Sequence, residues 1–163
     1  MPKGYLAFIL HAHLPYVRHP EHVRFLEERW LFEAITESYI PLIQVFDRLL
    51  NEHIPCRLTL SVSPSLLAML EDALLMERYE AHLNQLIELS VRELARTQSE
   101  PRSHDLAEFY HGFFVAGLDN FVNRCRRRLA TAFRQFHEQG VINLITTTAT
   151  HGFIAAIGRD KPK

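Results

Sequence analysis

Tyr5-Leu6-Ala7-Phe8-Ile9-Leu10 is apolar at every position, with no polar alternation. A run of that length suits a strand buried on both faces, as in a parallel sheet. Pro15 ends regular pairing beyond it, and a polar segment runs from Arg18 to Arg29. From Trp30 to His53, the residues Leu31, Ile35, Tyr39, Leu42, Phe46 and Leu49 recur every three or four positions and line one helical face. Pro41 falls inside that pattern. It lacks an amide donor and clashes with the preceding turn, so the helix is expected to kink or divide near Tyr39. Arg57 to Val62 alternates and predicts a second strand. Ser63-Pro64 then predicts a helix start, with serine as N-cap and proline at the first helical position.

A further helical pattern runs from Asp72 to about Ser99 and breaks around Pro101. Ser103 is expected to cap the next helix, with Asp105 favourable to its dipole. Leu106 to Gln139 reads as one long helix, bent near Gly112 or Gly117, whose phenylalanines are expected in the core. Gly140 closes it and Val141 to Thr146 forms a third strand. The order strand, helix, strand, several helices, strand predicts an α/β fold of parallel strands joined by long helical crossovers.

The composition fits a globular chain: 47% hydrophobic and 23% charged residues among 163. A net charge of −1 offers no basic excess for phosphates, so nucleic acid is not expected as a partner. No stretch approaches the ~18 continuous apolar residues of a membrane span. The N-terminal apolar run is too short for a signal peptide, and a cytoplasmic location is expected. Cys56 and Cys125 form neither a disulfide framework nor a zinc pattern and read as reduced thiols. A complete eight-stranded barrel needs about 250 residues, more than this chain has.

In parallel α/β architectures chemistry gathers at the carboxyl ends of the strands. Those ends carry His11 and His13, then Ser61 and Ser63, then Thr147, Thr148, Thr150 and His151. Three histidines therefore meet at one rim. His11 and His13 are two positions apart and share a strand face. Three readings follow: imidazoles that cap the sheet structurally, a metal site, or donors to the hydroxyls of a bound sugar. A metal needs further ligands, and no Asp, Glu or Cys stands at any strand end, so no metal is assigned. His19 and His22 lie in the loop after the first strand and read as a possible part of the rim. His53, His82 and His137 read as solvated, and Arg124, Arg126, Arg127 and Arg128 as a solvated helical face. Trp30 reads as core, with sugar stacking as its functional alternative.

His11-Ala12-His13-Leu14-Pro15-Tyr16-Val17-Arg18 resembles the first signature of glycoside hydrolase family 57, in particular of its 1,4-α-glucan branching enzymes. Ala149-Thr150-His151-Gly152-Phe153 resembles the second signature, and Glu33 to Leu42 resembles the family's first long helix. The resemblance covers about Tyr5 to Asp160. It implies the N-terminal part of a (β/α)7 barrel, three parallel strands with long helical crossovers, occupying residues 1–163 as one partial catalytic domain. It implies an α-glucan of glycogen or amylose type as partner, a retaining mechanism and no cofactor. A glutamate nucleophile and an aspartate acid/base are implied beyond Lys163, because no residue here matches either. His11, His13 and His151 would hold sugar hydroxyls, with Trp30 and Thr150 as further candidates. A missing C-terminal half, or self-association through open sheet edges, is expected to complete the assembly. The family's proline and leucines after the second signature are replaced by Ile154-Ala155-Ala156-Ile157. Two alternatives stand beside this reading: a metal-dependent hydrolase using the three histidines, and a glucan-binding fragment without catalysis.

Overall fold

A computed structural model describes residues 3–157; the charged end at Arg159 to Lys163 lies outside them. Three parallel strands form one sheet in the order β1 (Ile9–Ala12), β2 (Leu58–Val62), β3 (Ile142–Ile145). Helices α1 (Glu28–Ala34) and α2 (Ile40–Asn51) join β1 to β2. Helices α3 (Pro64–Leu70), α4 (Ala73–Arg96), α5 (Pro101–Asp119) and α6 (Leu129–Glu138) join β2 to β3, and a short α7 (Ile154–Ile157) follows. The α/β class, the parallel strands and the helical crossovers are as the sequence predicts.

Local chemistry explains the boundaries. Between α1 and α2 the chain makes a π-helical turn, Ile35–Tyr39, in which the Ile40 amide donates to the Ile35 carbonyl. The extra residue lets Pro41 sit in the first turn of α2, where its missing amide costs nothing. This is the expected interruption near Tyr39. Inside the turn, Thr36 Oγ1 donates to the Phe32 carbonyl (2.9 Å). Its proton being used, it accepts from the Tyr79 hydroxyl (3.0 Å), which ties the turn to α4. Ser63 caps α3 as predicted, its Oγ accepting from the Leu66 amide, and Asp72 caps α4 through the Leu75 amide at 3.0 Å. Gly140 (φ 77°) takes the left-handed conformation that closes α6.

Four expectations are corrected. The first strand is shifted: pairing starts at Ile9, and Tyr5, Leu6, Phe8 and Ile9 are exposed, Phe8 by 60%. Among the described residues β1 pairs with β2 alone, and Ile9 and Leu10 are exposed, so this apolar run is not buried on both faces here. Second, α5 starts at Pro101, and Ser103 lies within it rather than capping it. Third, the stretch from Leu106 to Gln139 divides at neither glycine. It passes through a π-helical turn, Asn120–Arg124, and then a tight reversal in which Arg126 (φ 50°) and Arg127 (φ 60°) are left-handed. Fourth, the arginine cluster lies at this reversal and not along a helical face, although Arg126, Arg127 and Arg128 are exposed as expected. Arg124 chelates Asp47 (2.7 and 2.8 Å), Arg127 reaches Glu80 and Arg128 reaches Glu71 (3.6 Å), so three arginines tether the reversal to α2, α4 and the end of α3.

The core lies between the sheet and α1 to α4 and α6. Leu31, Ile35, Ile43, Phe46, Leu66, Met69, Leu75, Tyr79, Leu83, Leu129 and Phe136 are buried around Leu60 and Ile142. Phe46 meets Phe136 edge to face (5.2 Å), and Tyr79 meets Phe121 in the same way (4.8 Å). Phe121, Leu129 and Phe133 are in the core as expected; Phe109 (62% exposed) and Tyr110 are not. Helix α5 packs along α4 and presents this aromatic side outward.

Candidate functional site

The parallel register decides what meets at the rim. His11 on β1 stands opposite Ser61 on β2, and Ser61 stands opposite Ile145 on β3. The carboxyl ends of the strands are therefore level, and the segment after β3 folds back across them. Thr148 Oγ1 donates to the Gly152 carbonyl (2.9 Å) and the His151 amide to the Thr148 carbonyl (3.0 Å). His151 adopts φ 56°, a left-handed turn that aims its ring at β1.

Its Nε2 lies 2.7 Å from Nε2 of His11, across 140 residues of sequence. The ring centroids of His13 and His151 are 4.4 Å apart, those of His11 and His151 4.8 Å, and those of His11 and His13 6.1 Å. The three histidines singled out in the sequence thus form one cluster. An Nε2 to Nε2 hydrogen bond has one proton, so one ring donates and the other accepts. His13 Nδ1 is buried without a hydrogen-bond partner among the described residues. Such an atom has lost its water and gained no protein partner, which is costly. Desolvation holds the His13 pKa below the ordinary histidine value, and the neighbouring His151 and His11 push it the same way. An imidazole carries a ring N–H donor and, on its other nitrogen, an acceptor, a pairing that matches groups able to do both, such as hydroxyls.

The other predicted residues are distributed differently. Ser61 is buried beneath the rim and Ser63 is engaged as a cap, with Ser65 Oγ donating to the Leu14 carbonyl (3.2 Å). Thr150 is exposed in the His151 turn. Trp30 is 49% exposed on α1, so the core reading of it fails. His19 and His22 do not join the cluster; their rings pack with each other and with Phe25. His82 is half-buried against Phe32 rather than solvated. No acidic residue stands at the strand ends. Among the described residues, no group of three His, Cys, Asp or Glu side chains is arranged to hold a metal ion, and no helix is long and apolar enough to cross a membrane. Cys125 is buried, which pushes its thiol up to about 11, and both cysteines are free.

Sequence reading missed the groups that fix the loop after β1. Arg18 pairs with Asp72 (2.5 Å), joining that loop to the cap of α4. Arg78 binds the buried Glu28 and donates to the carbonyls of His19 (3.2 Å) and His22. Separations of 50 or more residues leave no local signal for either pair.

The depressed histidines carry a prediction. Burial lowers the His82 pKa as well, with Arg29 adding to the effect and Glu33 opposing it. In the unfolded chain both imidazoles titrate near about 6.5. Below that pH the unfolded state binds more protons than the folded state, so stability falls on acidification. The urea midpoint is expected to drop between pH 7 and 5, and H13Q/H82Q to flatten that slope. An unchanged slope in the double variant would remove these histidines as its source.

Fold and site together define an α/β protein whose parallel strands end in a histidine-lined rim. The chain belongs to glycosyl hydrolase family 57, whose model matches residues 7–162. It is 31% identical to the 1,4-alpha-glucan branching enzyme TK1436 of Thermococcus kodakarensis over 98% of its own length and 23% of that protein. It resembles the solved structure of the alpha-amylase AmyC from Thermotoga maritima (TM-score 0.87, 44% identity, 93% of this chain and 29% of that one). A branching enzyme of this family from Pyrococcus horikoshii superposes equally well (TM-score 0.87, 31% identity, 98% and 29%). The three-stranded unit thus corresponds to part of the (β/α)7 barrel of these enzymes, and the chain spans less than a third of their length.

Proposed function

We propose that this chain forms the sugar-holding wall of an α-glucan-active enzyme that transfers glucan segments from α-1,4 to α-1,6 linkage. The observation that carries the reading is the cluster of His11, His13 and His151, with one unpartnered buried nitrogen, at the strand ends. The branching-enzyme relative aligned over 98% of the chain supports transfer to a sugar hydroxyl. The 44% identity to an alpha-amylase favours hydrolysis as the second reading. A retaining mechanism needs two carboxyl groups about 5–5.5 Å apart. The rim residues of this unit include none, so in this proposal both carboxylates belong to chain outside these 163 residues.

Calorimetric titration with maltoheptaose tests the reading. The 163-residue chain is expected to bind the oligosaccharide saturably without turning it over. His11→Ala and His151→Ala are each expected to weaken binding about 5- to 10-fold, the scale of one lost hydrogen bond. Undiminished binding in both variants would detach the glucan from the cluster. Turnover by the chain alone would overturn the assignment of the carboxylates. Stoichiometric zinc lost on His11→Ala, without glucan binding, would favour the metal-dependent hydrolase instead.

A further inference from the structure

The sheet ends in two edges that no strand among the described residues occupies. Within a strand the N–H and C=O of one residue point to the same side, and successive residues point to opposite sides. The carbonyls of Phe8 and Ala12 accept from the Thr59 and Ser63 amides, so Ile9 and His11 turn their backbone groups outward from β1. On β3 the Val141 carbonyl accepts from the Leu58 amide, so Ile142 and Leu144 turn outward there. At that edge a side chain stands where a strand would pair. Nδ1 of His137 lies 3.2 Å from the Ile142 carbonyl oxygen and 3.4 Å from the Leu144 amide nitrogen. One ring nitrogen either donates or accepts, so it satisfies one of these two groups at a time.

The faces of the sheet differ as well. Ala12, Leu60 and Ile142 are buried on the side of the helices. The alternate positions line the other face in two rows, Ile9-Thr59-Asn143 and His11-Ser61-Ile145. Ile9 is 67% exposed there and Ile145 45%.

We propose that a second copy of this chain covers both features: β1 of each copy pairs with β3 of the other, displacing His137, and the two sheets close into a six-stranded parallel ring. The sheet is parallel throughout, so the two free edges have the same polarity and pair without inverting a strand. An open row of copies would pair the edges and leave Ile9 and Ile145 in water. Closure about a two-fold axis along the strands covers them on both copies. The central strand places only Thr59 and Ser61 on this face, which leaves a narrow ring room for the isoleucines. The same axis keeps all carboxyl ends together, so each copy sets its His11, His13 and His151 at a shared mouth. The glucan reading does not depend on this pairing, and failure of the pairing leaves that reading intact.

Size-exclusion chromatography with light scattering on the 163-residue chain tests the proposal. A species of twice the chain mass is expected at micromolar concentration. Ile9→Pro removes an outward amide and spares the bonds to β2, whereas Ile145→Lys puts a charge on the covered face. Each is expected to weaken dimerisation at least tenfold while circular dichroism stays unchanged. His137→Ala frees the β3 edge and is expected to strengthen dimerisation. A monomer throughout would overturn the second copy as occupant, and a mass that grows beyond two chains with concentration would overturn closure. A dimer that survives both Ile9→Pro and Ile145→Lys, or that is lost only with Phe109→Ala on the exposed side of α5, would overturn the edges as the contact.

Discussion

Arg78→Met is expected to destabilise the chain by about 3–5 kcal/mol, read as a lower urea midpoint with unchanged slope. The reason is what Arg78 leaves behind. Its guanidinium faces Glu28, whose side chain is almost wholly buried, and the carbonyls of His19 and His22. Methionine keeps much of the volume and removes every donor. A buried carboxylate then has no counter-charge, and two carbonyls lose a strong partner. Typical domains have only about 5–15 kcal/mol in total, so the loss is a large fraction of stability. Glu28→Gln is expected to cost less, because the amide oxygen still accepts from Arg78. The double variant R78M/E28Q should recover part of the loss. A midpoint for Arg78→Met within error of the parent would show that water reaches the pair.

The second large effect is expected at Phe121, where alanine should cost about 3–5 kcal/mol. Phe121 is fully buried in the π-helical turn after α5 and meets Tyr79 edge to face. Removing its ring opens a cavity beside Tyr79, whose hydroxyl holds the other π-helical turn through Thr36. Phe109→Ala is the control: Phe109 is on the same stretch of sequence but exposed, and its replacement is expected to change stability by about 0.5 kcal/mol or less. Comparable losses at both positions would mean that α5 buries its outer side in solution.

These two phenylalanines show where sequence reading stops. Both belong to the helical pattern from Leu106 to Gln139, and spacing treats them alike. Phe121 falls in the π-helical turn that ends α5 and packs against Tyr79 of α4, whereas Phe109 lies on the outward side of α5, so the pattern divides into an exposed and a buried part. Pro41 was more informative, because a missing amide has a local consequence wherever it falls: it marked an interruption that the structure realises as a π-helical turn. Ser63-Pro64 and Gly140 were legible for the same reason.

For the site, the strand ends could be read residue by residue, and parallel order implied that His11, His13 and His151 meet. The 2.7 Å contact, the orphaned Nδ1 of His13 and the packing of His19 and His22 away from the cluster depended on the turn after β3 and on Arg78. Trp30 and His82 depart from the sequence expectation because burial is a property of what packs against a helix, not of the helix alone.

The sequence by itself determined the elements whose causes are local: strands from apolar runs, helices from period and caps, breaks from proline and glycine, and the order that makes the sheet parallel. Only the tertiary structure decided which apolar faces are covered, which charges become buried pairs and how three imidazoles orient toward one another. Those outcomes depend on contacts between residues 50 to 140 positions apart. Their energies come from desolvation and geometry, and neither exists until the chain has folded.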